Sequence, residues 1–183
     1  MSDSGNWFGR LFKKDSQRGE AIAPKLATET REWNNKGAGL GGLGRHEDAI
    51  DCFDKALELD PRFADAWTSK GSSLDNLGRH EEEIRCYDKA LELDPRDFKT
   101  WTNKGSSLGG LGRYEDAILC FDKALELDSR YAGAWFNKAL AKDKLSQWRE
   151  AALSYRQFLA LAPAPDAKQI EFVRKRLREL GAK

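Results

Sequence analysis

From Ile50 to Leu59 the apolar residues Ile50, Phe53, Ala56, Leu57 and Leu59 gather on one side of a 3.6-residue wheel. Asp51, Asp54, Lys55 and Glu58 take the other side. That pattern predicts an amphipathic helix. A first helix precedes it, with Trp33, Leu40 and Leu43 in a single arc. Gly44 should end that helix, because glycine adopts the left-handed C-terminal cap without steric cost. Asp60-Pro61 should end the second, since proline biases its predecessor away from the helical region. No stretch alternates with period two for long enough to predict a strand. The expected unit is helix–turn–helix, and the fold class is all-α.

The unit recurs. Trp33, Trp67, Trp101 and Trp135 are spaced by 34 residues, as are Leu43, Leu77, Leu111 and Leu145. Three near-copies of one phrase, "CFDKALELDPR", "CYDKALELDPR" and "CFDKALELDSR", close successive units. This periodicity disposes of "GLGGLG" at 39–44, whose G-x-G-x-x-G spacing matches the dinucleotide-binding fingerprint. That fingerprint requires a preceding strand, and here the next unit replaces Gly39 and Gly41 with Ser73 and Asp75. A phosphate cradle would not be repeated without its glycines.

The units resemble the tetratricopeptide repeat (TPR) family, whose 34-residue motif is W-x₂-L-G-x₂-Y…A-x₃-F…P. The matching residues are Trp33, Gly37, Ala49, Phe53 and Pro61 in the first unit. The second has Trp67, Gly71, Tyr87 and Pro95, with Glu83 in the alanine column. The third has Trp101, Gly105, Ala117 and Phe121, with Ser129 for proline. The fourth, divergent, has Trp135, Ala151, Tyr155 and Pro163, with Ala139 for glycine. The resemblance implies a right-handed solenoid of units 30–63, 64–97, 98–131 and 132–165. Segment 166–183 has Ile170, Val173, Leu177 and Leu180 in one stripe, and is expected to form a C-terminal capping helix. Residues 1–29 form an N-terminal extension, and Pro24 suits a first helical position well ahead of Trp33.

Charge narrows the partners. Lys+Arg 31 against Asp+Glu 30 leaves +1, whereas nucleic-acid binding usually needs a basic excess, so no nucleic acid is expected. Single-stranded RNA remains only the weakest alternative. No apolar run reaches the roughly 20 residues of a transmembrane helix, and the N-terminus lacks the apolar region of a secretory signal. Three cysteines without paired spacing fit a reducing compartment. The expectation is cytoplasmic.

Three columns invite chemistry. Cys52, Cys86 and Cys120 sit on equivalent helices roughly 8–10 Å apart, too far for a shared zinc or a disulfide, so they read as small buried residues. His46 and His80 share a column with Tyr114 and Trp148, which implies packing. Lys36, Lys70, Lys104 and Lys138 lie inside the apolar arc, as either a cationic ladder or stems whose heads reach Asp54, Asp88 and Asp122. No nucleophile, base and orienter converge, so no enzyme, catalytic residue, metal or cofactor is expected.

The resemblance further implies that the first helices line a concave groove that binds a peptide or helix of a partner protein. Opposite the tryptophan arc, the wheel nominates Arg31, Asn34, Asp65, Thr68, Ser72, Asn76, Lys99, Thr102, Ser106, Phe136 and Leu140. These are mostly small and polar, with an apolar patch at Phe136 and Leu140. Chaperone-binding members grip a C-terminal carboxylate with a Lys, Asn, Asn, Lys, Arg set. Those columns hold Asn34, Ala38, Ser69, Lys99 and Asn103, or, one unit on, Thr68, Ser72, Asn103, Gly133 and Asn137. One residue matches in each frame, so that clamp is absent.

At the N-terminus, "NWFGRLFKK" (6–14) places Trp7, Phe8, Leu11 and Phe12 on one helical face beside Arg10, Lys13 and Lys14. It is expected to cap the first repeat. Self-association through a groove, or contact with an anionic membrane surface, are the alternatives.

Overall fold

The computed structural model describes residues 6–161 and 167–181, with side chains from residue 24 onward. Its helices come in pairs. They are α1 (Asn6–Gly42) with α2 (His46–Leu59), α3 (Ala64–Asn76) with α4 (His80–Leu93), α5 (Phe98–Gly110) with α6 (Tyr114–Leu127), and α7 (Ala132–Lys144) with α8 (Trp148–Leu161). The last element is α9 (Ala167–Glu179). No strand occurs among the described residues. Helix α1 begins at Asn6, so Pro24 lies inside it rather than at its first turn. The expected apolar face of residues 6–14 lies outside the described side chains.

Curvature follows from which helices touch. The first helices of successive pairs approach one another, α1 to α3, α3 to α5 and α5 to α7. The second helices α2, α4, α6 and α8 make no such approach among the described residues. The first helices therefore lie on the inside of the curve and the second helices on the outside.

Sequence chemistry explains each joint. Gly44, Gly78 and Gly112 take φ of 76°, 71° and 76° at the bend inside each pair. In the fourth pair Ser146 holds the same left-handed conformation at φ 59°, at a cost glycine avoids. At the other joint, the amide of Asp60, Asp94 or Asp128 continues its helix to the carbonyl of Ala56, Ala90 or Ala124. The aspartate carboxylate then accepts the amide two residues on, Arg62, Arg96 or Arg130, at 2.9–3.0 Å. The next tryptophan closes this turn. The indole Nε1 of Trp67, Trp101 and Trp135 donates to the carbonyls of Pro61, Pro95 and Ser129 at 3.0, 3.0 and 2.9 Å. Only a main-chain oxygen is needed there, which is why Ser129 can stand in for proline.

Inside each pair one glycine faces one ring. A Cβ on Gly37, Gly71 or Gly105 would sit 2.6–2.7 Å from Phe53, Tyr87 or Phe121. These rings, with Tyr155 of the fourth pair, are at most 2% exposed. By contrast, a Cβ on Gly39 or Gly42 would meet nothing within 4 Å. Such interior glycines cost up to about 1 kcal/mol each relative to alanine without a packing return. Amide hydrogen exchange is therefore expected to be faster over 37–44 than over 71–78; equal or slower exchange would refute it.

Beyond α8 the stack ends in an aromatic cluster. Phe136 lies 5.1 Å from Phe158 and 6.3 Å from Phe172 between ring centroids, and Tyr155 lies 6.4 Å from Phe172. Val173 and Leu177 of α9 are buried in the same cluster. Arg176 ties α9 to α7 by a forked pair with Asp143 at 2.6 and 2.8 Å.

Candidate functional site

The inner face of the stack carries two cavities at equivalent joints. One, of about 250 Å³, lies between α1 and α3 and is lined by Ala38, Gly41, His46, Thr68, Ser72 and Asn76, among others. The other, of about 270 Å³, lies between α5 and α7, where Ser106, Gly109, Tyr114, Phe121, Leu140 and Lys144 face it. The first is the more polar. Its His46 Nδ1 is buried and unpartnered among the described residues, as is Oδ1 of Asn34 on the same helix as Ala38 and Gly41. An unmade hydrogen bond at a buried group costs about 1–3 kcal/mol.

The sequence-nominated residues divide accordingly. Thr68, Ser72 and Asn76 line the first cavity, and Ser106 and Leu140 the second. Ser72 and Ser106 each donate to a carbonyl one turn back, and Asn137 Nδ2 donates to Ser106 Oγ at 3.0 Å. Arg31, Asp65 and Lys99 are exposed on their helices. Thr102 is buried at 5% exposure and bonded to the Phe98 carbonyl. Phe136 and Leu140 both pack against the C-terminal aromatic cluster, and Leu140 also lines the second cavity.

Between the two cavities the equivalent joint is built from charged groups that the wheel did not nominate. Glu83 is 1% exposed. Its Oε1 accepts from Ser107 Oγ and its Oε2 lies 3.1 Å from His80 Nδ1. Burial pushes the Glu83 carboxyl up from its ordinary range, and the bonds to Ser107 and His80 only partly oppose this. The signal was visible as a glutamate in an alanine column with a histidine three residues before it.

The lysine column resolves structurally. Lys70 meets Asp54 and Lys104 meets Asp88 at 2.5 Å, and Lys138 pairs with Asp122. Each ammonium also lies over its own tryptophan ring, at 5.9, 5.6 and 5.2 Å from the centroid. Lys36 lies 4.8 Å over Trp33. The heads are thus spoken for, and the stems pack between units. Lys70→Leu is expected to leave the thermal midpoint unchanged or higher, because Asp54 stays half-exposed and hydrated; a large drop would count against this. Cys52, Cys86 and Cys120 are free and buried, and burial pushes the Cys86 thiol up to about 11. That suits inert packing groups.

Tetratricopeptide repeat models match residues 30–63, 64–97 and 98–131. The chain belongs to the TPR family. The α7–α8 pair adds a fourth unit of the same form. A search of curated protein sequences returns no match. Solved structures with the same fold include PilF of Pseudomonas aeruginosa, at 23% identity and TM-score 0.77, over 85% of this chain and 70% of that one. MamA of Desulfovibrio magneticus RS-1 is 19% identical at TM-score 0.74, over 84% and 86% of the two chains. The first TPR domain of Spaghetti (RPAP3), bound to the HSP90 peptide SRMEEVD, is 26% identical at TM-score 0.60, over 64% and 93%. This TPR chain is a protein-interaction scaffold of helical repeats. Among its described residues no helix is long and apolar enough to cross a membrane.

Proposed function

We propose that the concave groove of the four units binds an extended peptide or a helix from a partner protein, without catalysis. The observation that carries this reading is the pair of cavities at the α1–α3 and α5–α7 joints, on the face formed by the first helices. Their chemistry predicts the ligand's order. The first cavity offers hydroxyls, Asn76 and the unpartnered His46 nitrogen, and selects a polar side chain. The second offers Leu140, Tyr114 and Phe121 with Lys144 at its margin, and selects an apolar side chain followed by an acidic one. The small polar residues Ser72 and Ser106 lie close enough to the surface to bond a peptide backbone.

Chaperone tails are not the ligand. The groove lacks the Lys, Asn, Asn, Lys, Arg set, so the HSP90 peptide in the RPAP3 complex is a guide to the mode of binding only.

Peptides selected from a random display library against the full chain test the reading. Ser72→Arg should fill the first cavity and Leu140→Arg the second, with circular dichroism of each variant used to check that the helical fold is kept. Selected peptides should lose at least about tenfold in affinity, or about 1.4 kcal/mol, for one or both variants. Unchanged binding to both would place the ligand elsewhere.

A further inference from the structure

The second unit departs from its near-copies at three positions that meet in space. Glu83 stands in the column of Ala49, Ala117 and Ala151, and Asp75 in that of Gly41 and Gly109. His80 stands where the third and fourth units have Tyr114 and Trp148. The first unit shares the histidine, as His46, and the fourth shares the aspartate, but there Asp143 is held by Arg176. All three ligand types coincide only here. Asp75 lies in the last turn of α3, His80 opens α4 and Glu83 follows one turn later. His80 Nδ1 lies 3.1 Å from Glu83 Oε2 and 3.9 Å from Asp75 Oδ1, and one donor atom from each residue lies within 4.8 Å of the others.

Packing does not require this arrangement. The other three units close the same joint with alanines of 0% exposure. A carboxylate buried there is a burden unless a cation or several donors compensate it. Ser107 bonds one Glu83 oxygen and the His80 imidazole the other, and a metal ion would take the place of the proton shared between His80 Nδ1 and Glu83.

We propose that Asp75, His80 and Glu83 bind a divalent transition-metal ion of the Zn²⁺ class at the junction of the second and third units. One imidazole nitrogen with two carboxylates suits such ions, whereas Mg²⁺ and Ca²⁺ favour all-oxygen sets. With bonds of about 2.0–2.2 Å, neighbouring ligands of a tetrahedral ion lie roughly 3.3–3.6 Å apart. The observed 3.1 and 3.9 Å from the imidazole bracket that spacing, and the Asp75 and Glu83 donors lie within 4.8 Å of each other. Asp75, with its side chain 57% exposed, is free to close the longer gap. Ser107 orients the Glu83 carboxylate from behind, as outer partners of metal ligands do. The columns of Asp75 and His80 line the groove cavities in the flanking units, as Gly41 and His46, and as Gly109 and Tyr114. The ion therefore lies between the two cavities, with a coordination position left for a carboxylate or imidazole from outside. The site goes beyond the peptide-binding reading and stands without it.

Metal-free full-length protein titrated with ZnCl₂ by calorimetry, with MgCl₂ as control, tests the site. The expected result is one Zn²⁺ per chain, a raised thermal midpoint and no response to Mg²⁺. Glu83→Ala and His80→Tyr install residues that neighbouring units carry at those positions, so both should fold. Each should weaken zinc binding by at least about tenfold. Cys52, Cys86, Cys120 and His46 are retained in both variants. Zinc binding unchanged in both, or no zinc binding by the wild type, would overturn the proposal.

Discussion

Phe121→Ala should destabilise the array by about 3–5 kcal/mol, the usual cost of emptying an aromatic site in a close-packed core. The ring is 2% exposed and packs with Leu108, Ala117, Cys120 and Ala141, which come from α5, α6 and α7. It also fills the space that Gly105 leaves by lacking a Cβ. Backbone on one side and two neighbouring helices on the others limit how far the hole can collapse. Because repeat stability is a sum of units and nearest-neighbour interfaces, the damage should not spread evenly. The third unit joins the second to the fourth, so urea unfolding should broaden or divide into two transitions rather than simply shift. Leu119→Ala, at a position 68% exposed on the same helix, is the control and should stay within about 0.5 kcal/mol of wild type. Equal effects of the two substitutions would mean that the ring does not hold the joint.

The same residues show why the fold was so legible in the sequence. A 34-residue period samples each structural position four times. Tryptophan, glycine and aromatic columns therefore expose the turn, the close approach and the ring that fills it before any coordinate is known. Single deviations were harder to read. Ser129 breaks the proline column without consequence, because the Trp135 indole asks only for its carbonyl. Ser146 breaks the glycine column while keeping the glycine conformation. Nothing in a column tells these two substitutions apart. Pro24 misled for a related reason: it is compatible with a first turn, and the chain nevertheless continues helical on both sides of it.

The groove was only partly legible. A helical wheel treats every first helix as if it faced one neighbour, but each lies between two others and its second helix. Thr68 and Ser72 line a cavity, whereas Thr102, in the same column as Thr68, is buried. The wheel places Phe136 in an apolar patch of the groove because it does not include α9, whose Phe172 packs against that ring. The Glu83 cluster escaped notice for the opposite reason. Each of its members appears only within its own column, and the meeting of three columns at one joint is a property of the turn between α3 and α4.

The C-terminal end gives the second large effect. Val173→Asp should detach α9 and expose the aromatic cluster beneath it. Val173 is 0% exposed in the apolar cluster that holds Tyr155, Phe158 and Leu177. Burying an unpaired carboxylate costs several kcal/mol, more than one short helix can recover from its remaining contacts. Among the described residues the main chain of α9 approaches α8 alone, supplemented by Phe172 against α7 and by the Arg176–Asp143 fork. Release would leave Tyr155, Phe158 and Phe136 facing water, so dye binding to apolar surface should rise and proteolysis within 167–181 should accelerate. The loss should depend on pH with a definite sign. Burial raises the introduced carboxyl above its unfolded value near 4, so the deficit is small below about pH 4 and opens as pH rises through and beyond that value. Val173→Ala removes bulk without charge and should show a smaller, pH-independent loss. An Asp variant whose midpoint and dye binding match wild type at pH 7 would mean that α9 does not cover the array in solution.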